Sequence, residues 1–140
     1  MTGKALVLDA NILIRAVLGS KAMRIIAEHA DRVAMFTPEV CFADARKHLP
    51  TILSRRGVPV EPALSALQSI EGFVQAIGYE WIEGWESLAR ARLAGRDEED
   101  WPILATALTL DCPIWTEDAD FFGVGVATWT TATIGYYFES

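Results

Sequence analysis

Apolar and polar positions along this chain predict short strands separated by helices. Apolar runs typical of buried strands occupy residues 5–8, 32–36, 73–77, 113–116 and 125–129. Apolar residues at helical spacing fall between them, at residues 12–18, 21–31, 39–56, 63–70, 85–93 and 101–110. The run at 73–77 also fits a helical continuation, and we interpret it as a strand. Strands that alternate with helices form a parallel sheet. The pattern therefore predicts an α/β fold with helices on both faces of a parallel sheet.

A few residues mark the expected ends of these elements. Asp9 stops the first strand, and Asn11 offers an N-cap to the helix that follows. Pro38 suits the first turn of a helix, whereas Pro50 should break or kink the helix predicted at residues 39–56.

Length and composition indicate one domain spanning residues 1–140. The chain has 140 residues, of which 51% are apolar, enough for one core but hardly for two. The first apolar run is too short for a signal peptide or a membrane span, so we expect a soluble, cytoplasmic protein without a membrane partner. Cys41 and Cys112 lack the CxxC spacing of a zinc site and are expected to be free thiols in a reducing cytosol.

Four aspartates occupy positions from which an α/β fold can gather side chains into one pocket. Asp9 ends the first strand, and Asp118 follows the strand predicted at residues 113–116. Both should therefore lie at the carboxyl edge of the sheet, where open parallel sheets bind ligands. Asp100 begins a helix and Asp44 lies within another, so the packing of these helices decides whether their side chains lie near Asp9 and Asp118. Carboxylates suit Mg²⁺ or Mn²⁺, ions that promote phosphodiester hydrolysis.

The net charge of −7 argues against a simple nucleic-acid binder, because affinity for phosphates normally comes from clustered Lys and Arg. Removing the four aspartates from that charge leaves −3, and two divalent cations would neutralise the site itself. Four basic residues could hold substrate phosphates, although a solvated helix face also explains them: Arg15, Lys47, Arg55 and Arg56.

Four pieces of the sequence form one pattern: residues 7–11, Asp44, residues 100–108 and residues 115–121. In their order and spacing they resemble the PIN-domain ribonucleases, which include VapC-like toxins. The similarity runs from near the first residue to about Trp129. It implies a three-layer α/β/α fold, Mg²⁺ or Mn²⁺ held by three or four acids, and RNA as the substrate. It also implies an antitoxin protein as partner of a type II toxin-antitoxin pair, and a homodimer.

The resemblance also implies roles for individual residues. Asp9, Asp100 and Asp118 match the catalytic metal ligands of the family, and Asp44 matches the remaining acid. Asn11 and Thr116 are implied to support the site, and Asp120 to assist it. Two further acids are candidates for the same neighbourhood, namely Asp97 and Glu39.

The second acid is the weakest match. The family usually has Glu there, whereas this chain has Asp44, one methylene shorter, with Glu39 as a competitor five residues earlier. Asp97 lies in a charged turn that solvation alone explains.

Other interpretations of the same residues stay open. Asp9 with Asn11 could merely cap a helix, and Asp100 could complement a helix dipole. A phosphatase of the haloacid type would use its first aspartate as a nucleophile within a D-x-D pair, but here Asn11 takes the second position. A non-catalytic interaction module that keeps the PIN-like scaffold is the third possibility, and the acidic net charge favours it.

Overall fold

A five-stranded sheet forms the middle of the fold. The computed structural model describes residues 3–140, so the first two residues of the predicted domain lie outside the described residues. The strands are β1 (Lys4–Leu8), β2 (Val33–Pro38), β3 (Val74–Ile77), β4 (Ile114–Trp115) and β5 (Thr128–Trp129). They lie in the order β3-β2-β1-β4-β5, and every neighbouring pair is parallel. The predicted α/β fold class is confirmed.

Helices cover both faces of this sheet. They are α1 (Ala10–Leu18), α2 (Ser20–His29), α3 (Glu39–Arg56), α4 (Val60–Ile70), α5 (Tyr79–Ile82), α6 (Glu86–Arg92), α7 (Trp101–Leu110) and α8 (Ile134–Glu139). Helices α1, α3 and α4 pack on one another, whereas α5 and α6 pack on α7, which contacts β1, β2 and β4. Right-handed crossovers put these two groups on opposite faces, which gives the three layers. Within residues 3–140 no helix has the length and apolar character needed to cross a membrane.

The strand order reverses between β1 and β4. The chain moves from β1 outward to β2 and β3, then returns past β1 to β4. Residues 6–8 of β1 are fully buried, as expected for a central parallel strand with helices on both faces. Ligands bind in the crevice that such a reversal opens at the carboxyl ends of the strands. Asp9 and Thr116 directly follow the two strands at this point.

The first helix begins earlier than the sequence pattern predicts. Its N-cap is Asp9, with extended backbone (φ −83°, ψ 170°), and the Asp9 carboxylate accepts a hydrogen bond from the Ile12 backbone N–H at 3.1 Å. The predicted N-cap at Asn11 is therefore wrong. Because the carboxylate of Asp9 already caps the helix, Asn11 falls in its first turn with an exposed side chain.

The sequence predicts a break or a kink at Pro50, and the break is wrong, because α3 continues through it. Pro50 removes one backbone hydrogen bond, but the adjacent Leu49 and Leu53 are fully buried, so packing of this face offsets the loss. The helix ends instead at Gly57, whose φ of 66° lies in the left-handed region that favours glycine. The short helices α5 and α8 are absent from the sequence-based prediction, and β4 and β5 are shorter than expected.

Candidate metal centre

Asp9 is the most constrained acid at the carboxyl edge of the sheet. Its side chain is only 2% exposed, and its two oxygens accept hydrogen bonds from the Ile12 N–H and the Thr116 hydroxyl. Burial raises the pKa of Asp9 and the charge of Asp118 adds to the rise, while the hydrogen bonds from Thr116 and Ile12 lower it. The fold therefore buries this carboxylate and fixes its orientation by hydrogen bonds from two donors.

Thr116 connects Asp9 to the next acid. Parallel pairing of β1 with β4 brings Leu8 opposite Trp115, so the residues that follow the two strands are neighbours. The fully buried Thr116 hydroxyl donates to the Asp9 carboxylate and accepts from the Asp118 backbone N–H at 2.9 Å. A single hydroxyl group thus fixes the positions of Asp9 and Asp118 relative to each other.

Asp100 is the third acid of this group. It lies at the end of a 3₁₀ turn, directly before α7, and is half-buried. Burial is the largest cause that raises the pKa of Asp100 to about 6. The negative charges of four other aspartates raise it further, and these are Asp97, Asp118, Asp9 and Asp120. The structure therefore brings Asp9, Asp100 and Asp118 within electrostatic reach of one another.

Asp44 lies at the margin of this group. It is exposed on α3, one turn from the buried Cys41. Burial raises the pKa of the Cys41 thiol to about 12, and the charges of Asp9, Asp44 and Asp100 contribute to the rise. Cys41 thus has all three acids as neighbours, although Asp44 is not among the main charges that act on Asp100.

The competing acid, Glu39, faces another part of the surface. It begins α3 with an exposed side chain, and it lines a pocket of about 320 Å³ together with Tyr79, Glu99 and Trp101. None of Asp9, Asp44, Asp100 and Asp118 lines that pocket.

The two acidic loops of the site are tied together by hydrogen bonds. Asp118 caps a short 3₁₀ turn by accepting from the Asp120 N–H at 2.9 Å, and Asp97 caps another by accepting from the Glu99 N–H at 3.0 Å. Between the loops, the Asp97 N–H donates to the Asp120 carboxylate at 3.4 Å. Asp97 and Asp120 therefore hold the loops that carry Asp100 and Asp118.

Arg96 strengthens this connection between the two loops, a role that the sequence did not predict. Arg96 donates from one nitrogen to the backbone carbonyls of Asp120 and Phe122, at 2.7 Å each. Arg92 reaches the Val124 carbonyl at 3.3 Å in the same loop. The only signal in the sequence was the position of Arg96 directly before the acidic turn, and this does not indicate which distant carbonyls it would contact.

The donor set fits a hydrated divalent cation better than a closed metal cage. Among residues 3–140, no three His, Cys, Asp or Glu side chains are arranged to hold one metal ion between them. Mg²⁺, however, is usually bound by one or two carboxylates and keeps several waters. The oxygen ligands of Asp9, Asp100 and Asp118 suit such an ion. Burial is the main cause of the raised pKa values of Asp9 and Asp100, the neighbouring aspartate charges add to it, and a bound cation would offset both effects.

A cleft of about 810 Å³ opens beside Asp118. Asn11, at the start of α1, also lines the cleft. The exposed Asn11 side chain therefore lies at the border between the carboxylate group and the open surface.

Several solved structures share this fold. VapBC2 from Rickettsia felis, bound to a DNA fragment from its promoter, has a TM-score of 0.70 at 12% identity, over 90% of this chain and 98% of that one. FitAcB from Neisseria gonorrhoeae has a TM-score of 0.66 at 17% identity, over 91% and 98%. VapBC-1 from nontypeable Haemophilus influenzae has a TM-score of 0.64 at 19% identity, over 92% and 99%. At these identities the likeness concerns the fold alone.

Sequence comparison identifies the family. No protein with a curated description matches this chain. The sequence model of the PIN domain, in contrast, matches residues 7–139, nearly the whole chain. The chain therefore belongs to the PIN domain family.

Proposed function

We propose that this chain is a metal-dependent endoribonuclease that hydrolyses phosphodiester bonds in RNA, with Mg²⁺ or Mn²⁺ as the cofactor. PIN domains are generally nucleases that use divalent metal ions. The observation that supports the proposal most strongly is the connection of Asp9 to Asp118 through Thr116, with Asp100 within reach of both charges.

In this proposal the acids have different roles, which follow from their surroundings. Asp9, Asp100 and Asp118 would hold the cation, with Asp44 as the fourth acid at the margin. When bound, the ion supplies neutralisation of the phosphodiester charge and activation of water for attack. Thr116 keeps Asp9 and Asp118 in place by its hydroxyl group, and Asp120, together with Asp97, keeps the two loops in register.

The phosphatase alternative gains no support from the geometry. A nucleophilic aspartate needs a free oxygen that faces the substrate. Asp9 is 2% exposed, and both of its oxygens accept hydrogen bonds. Each carboxylate oxygen keeps a second lone pair that can bind a cation, whereas a nucleophile at this buried position would have to reach the phosphorus atom of the substrate directly.

We also propose that the chain is the toxin of a toxin-antitoxin pair. The structural neighbours include VapBC2, VapBC-1 and FitAcB, and this likeness supports an antitoxin protein as partner. The homodimer stays a prediction from the family. Co-expression with the product of a neighbouring gene, followed by sedimentation analysis, tests both assemblies.

A cleavage assay tests the main proposal. Purified protein is incubated with labelled single-stranded RNA in Mg²⁺, in Mn²⁺ and in EDTA, alongside the Asp9→Asn variant. We expect cleavage that needs the ion and is lost in the variant. A trapped aspartyl-phosphate would instead support the phosphatase, and a folded protein with neither activity would support a non-catalytic module.

A further inference from the structure

We propose that the cleft beside Asp118 is the track along which a single-stranded RNA leaves the carboxylate group. This inference rests on the proposed function and adds to it the path of the substrate. We call the surface the basic cleft, because three cationic side chains line it: Arg15 of α1, Lys21 of α2 and Arg56 at the end of α3.

The three cations are available to an anionic ligand. All three are exposed, and none forms an ion pair within residues 3–140. In contrast, Arg46 and Arg90 pair with neighbouring glutamates. The protein carries a net charge of −7, so three exposed cations gathered along one cleft, even beside the carboxyl groups of Glu117 and Asp118, form a surface that would attract phosphates.

The basic cleft is continuous with the proposed metal centre. Asn11 and Asp118 line it, and Asp118 is held to Asp9 through Thr116. A phosphodiester positioned at the carboxylates would therefore place its neighbouring phosphates along α1 and the end of α3.

The apolar part of the lining of the basic cleft favours a single strand over a duplex. Ile14, Leu18 and Ile52 line the same cleft as the cationic residues. The unpaired bases of a single strand can make apolar contacts with these side chains, whereas a duplex keeps its bases stacked inside.

The other pocket near the centre does not suit a polyanion. It is lined by Glu39 and Glu99 together with Tyr79 and Trp101, and contains no Lys or Arg among its lining residues. The charge distribution therefore directs a nucleic-acid strand to the Asp118 side.

Binding measurements on charge-matched variants test this inference. Arg15, Lys21 and Arg56 are changed to Gln together, in an Asp9→Asn background that prevents cleavage. The control changes Arg24, Arg32 and Arg46 to Gln, three exposed cations that do not line the cleft and whose replacement removes the same charge. Fluorescence anisotropy with a labelled RNA dodecamer of mixed sequence gives the affinity at several salt concentrations, and circular dichroism confirms that both variants fold.

We expect the cleft variant to bind the RNA at least about tenfold more weakly than the control variant. For the cleft variant, the plot of log K against log salt concentration should be less steep by about 2. Each phosphate contact to a single strand contributes about 0.7 to this slope, and the variant loses three such contacts. We also expect the RNA duplex of the same sequence to bind more weakly than the single strand.

Equal losses in both variants would overturn the inference, because they would indicate an unspecific effect of charge. Unchanged RNA affinity in both variants would also overturn the inference. The basic cleft would then be a candidate surface for a protein partner instead. Equal binding of duplex and single strand would overturn the choice of a single strand. If the wild-type protein never cleaves RNA and yet the cleft variant alone loses affinity, the inference stands and the proposed function fails.

Discussion

Asp9 and Asp100 both stand where a helix begins, but the fold holds them in opposite ways. Asp9 is 2% exposed and accepts hydrogen bonds on both oxygens, whereas the side chain of the half-buried Asp100 forms no hydrogen bond within the described residues. Only the backbone positions Asp100, and neighbouring negative charges surround it. The centre thus combines one pre-oriented carboxylate with one whose charge is left for a ligand to neutralise.

The difference has a structural cause. Asp9 is oriented by its own helix and by the adjacent strand, that is, by the sheet itself. Asp100 depends on how the loop at residues 94–100 lies against the loop at residues 117–125, and Arg96 makes the principal contacts between these loops. The first arrangement is expected to persist in the absence of metal, whereas the second is where a cation should change the protein most.

Replacing the pre-oriented acid should have the largest effect. Asp9→Asn removes the charge but keeps an oxygen that can accept from the Ile12 N–H, so the fold should persist. We expect metal-dependent RNA cleavage to fall at least about 100-fold, since loss even of a residue that only supports a ligand costs about 10- to 100-fold. Initial rates in Mn²⁺ measure the change.

The exposed Asp31 offers the control, because Asp31→Asn makes the same chemical change far from the centre. Wild-type activity in Asp9→Asn would mean that Asp9 is only a helix cap.

Asp44 and Glu39, the two candidates for the second acid of the family pattern, can be compared in the same way. Asp44 shares the neighbourhood of Cys41 with Asp9 and Asp100, whereas Glu39 faces the acidic and aromatic pocket. We expect Asp44→Asn to reduce cleavage about 10- to 100-fold and Glu39→Gln to leave it nearly unchanged. The reverse order of the two variants would make Glu39 the fourth acid of the centre.

Loosening the loop that carries Asp100 should have a smaller effect. Arg96→Gln removes the donors to the Asp120 and Phe122 carbonyls but leaves every carboxylate in place. We expect the affinity for Mn²⁺, measured by electron paramagnetic resonance, to fall about tenfold, and Arg96→Lys to recover part of it.

Arg24→Gln carries the same change in charge on the exposed surface of α2 and should bind Mn²⁺ like the wild type. If Arg96→Gln binds Mn²⁺ equally well, the two loops do not need this contact.

The smallest expected effect concerns the pH dependence of stability without metal. The pKa of Asp100 is about 6 in the fold, above its ordinary value of 3.8, so the folded state binds the proton more tightly than the unfolded state. The stability that protonated Asp100 contributes is full below pH 3.8 and is lost as the pH rises through about 6. In EDTA, we expect the melting temperature of the wild type to fall between about pH 5 and about pH 7.

Asp100→Asn provides the comparison, because it removes the titrating group and leaves Asp9 in place. The difference in melting temperature between the variant and the wild type should grow with pH over this range. A difference independent of pH would mean that the surroundings of Asp100 do not raise its pKa.

Much of this architecture could be predicted from the sequence because its signals are local. The apolar run before Asp9 forms a central strand, and the same periodicity defines the long helices α3 and α7. Asp9 and Thr116 could be expected at one edge, because parallel strands share their carboxyl edge.

The remaining features depend on contacts between distant residues. Arg96 contacts carbonyls 24 and 26 residues away, and no periodicity reveals such a pair. The continuity of α3 through Pro50 results from tertiary packing that overrides a local preference. Likewise, Asp9 and not Asn11 caps α1, because one oxygen of the Asp9 carboxylate accepts from the helix while the other contacts Thr116 in the proposed site.

The central claim is that at least two of Asp9, Asp100 and Asp118 bind one hydrated divalent cation. Crystals soaked in Mn²⁺, with diffraction data collected at the manganese absorption edge, test it most directly. The account predicts an anomalous peak about 2.1 Å from carboxylate oxygens of at least two of these three residues, with waters completing the coordination. A peak beside Glu39 and Glu99 instead, or none at the three aspartates at saturating Mn²⁺, would contradict the account.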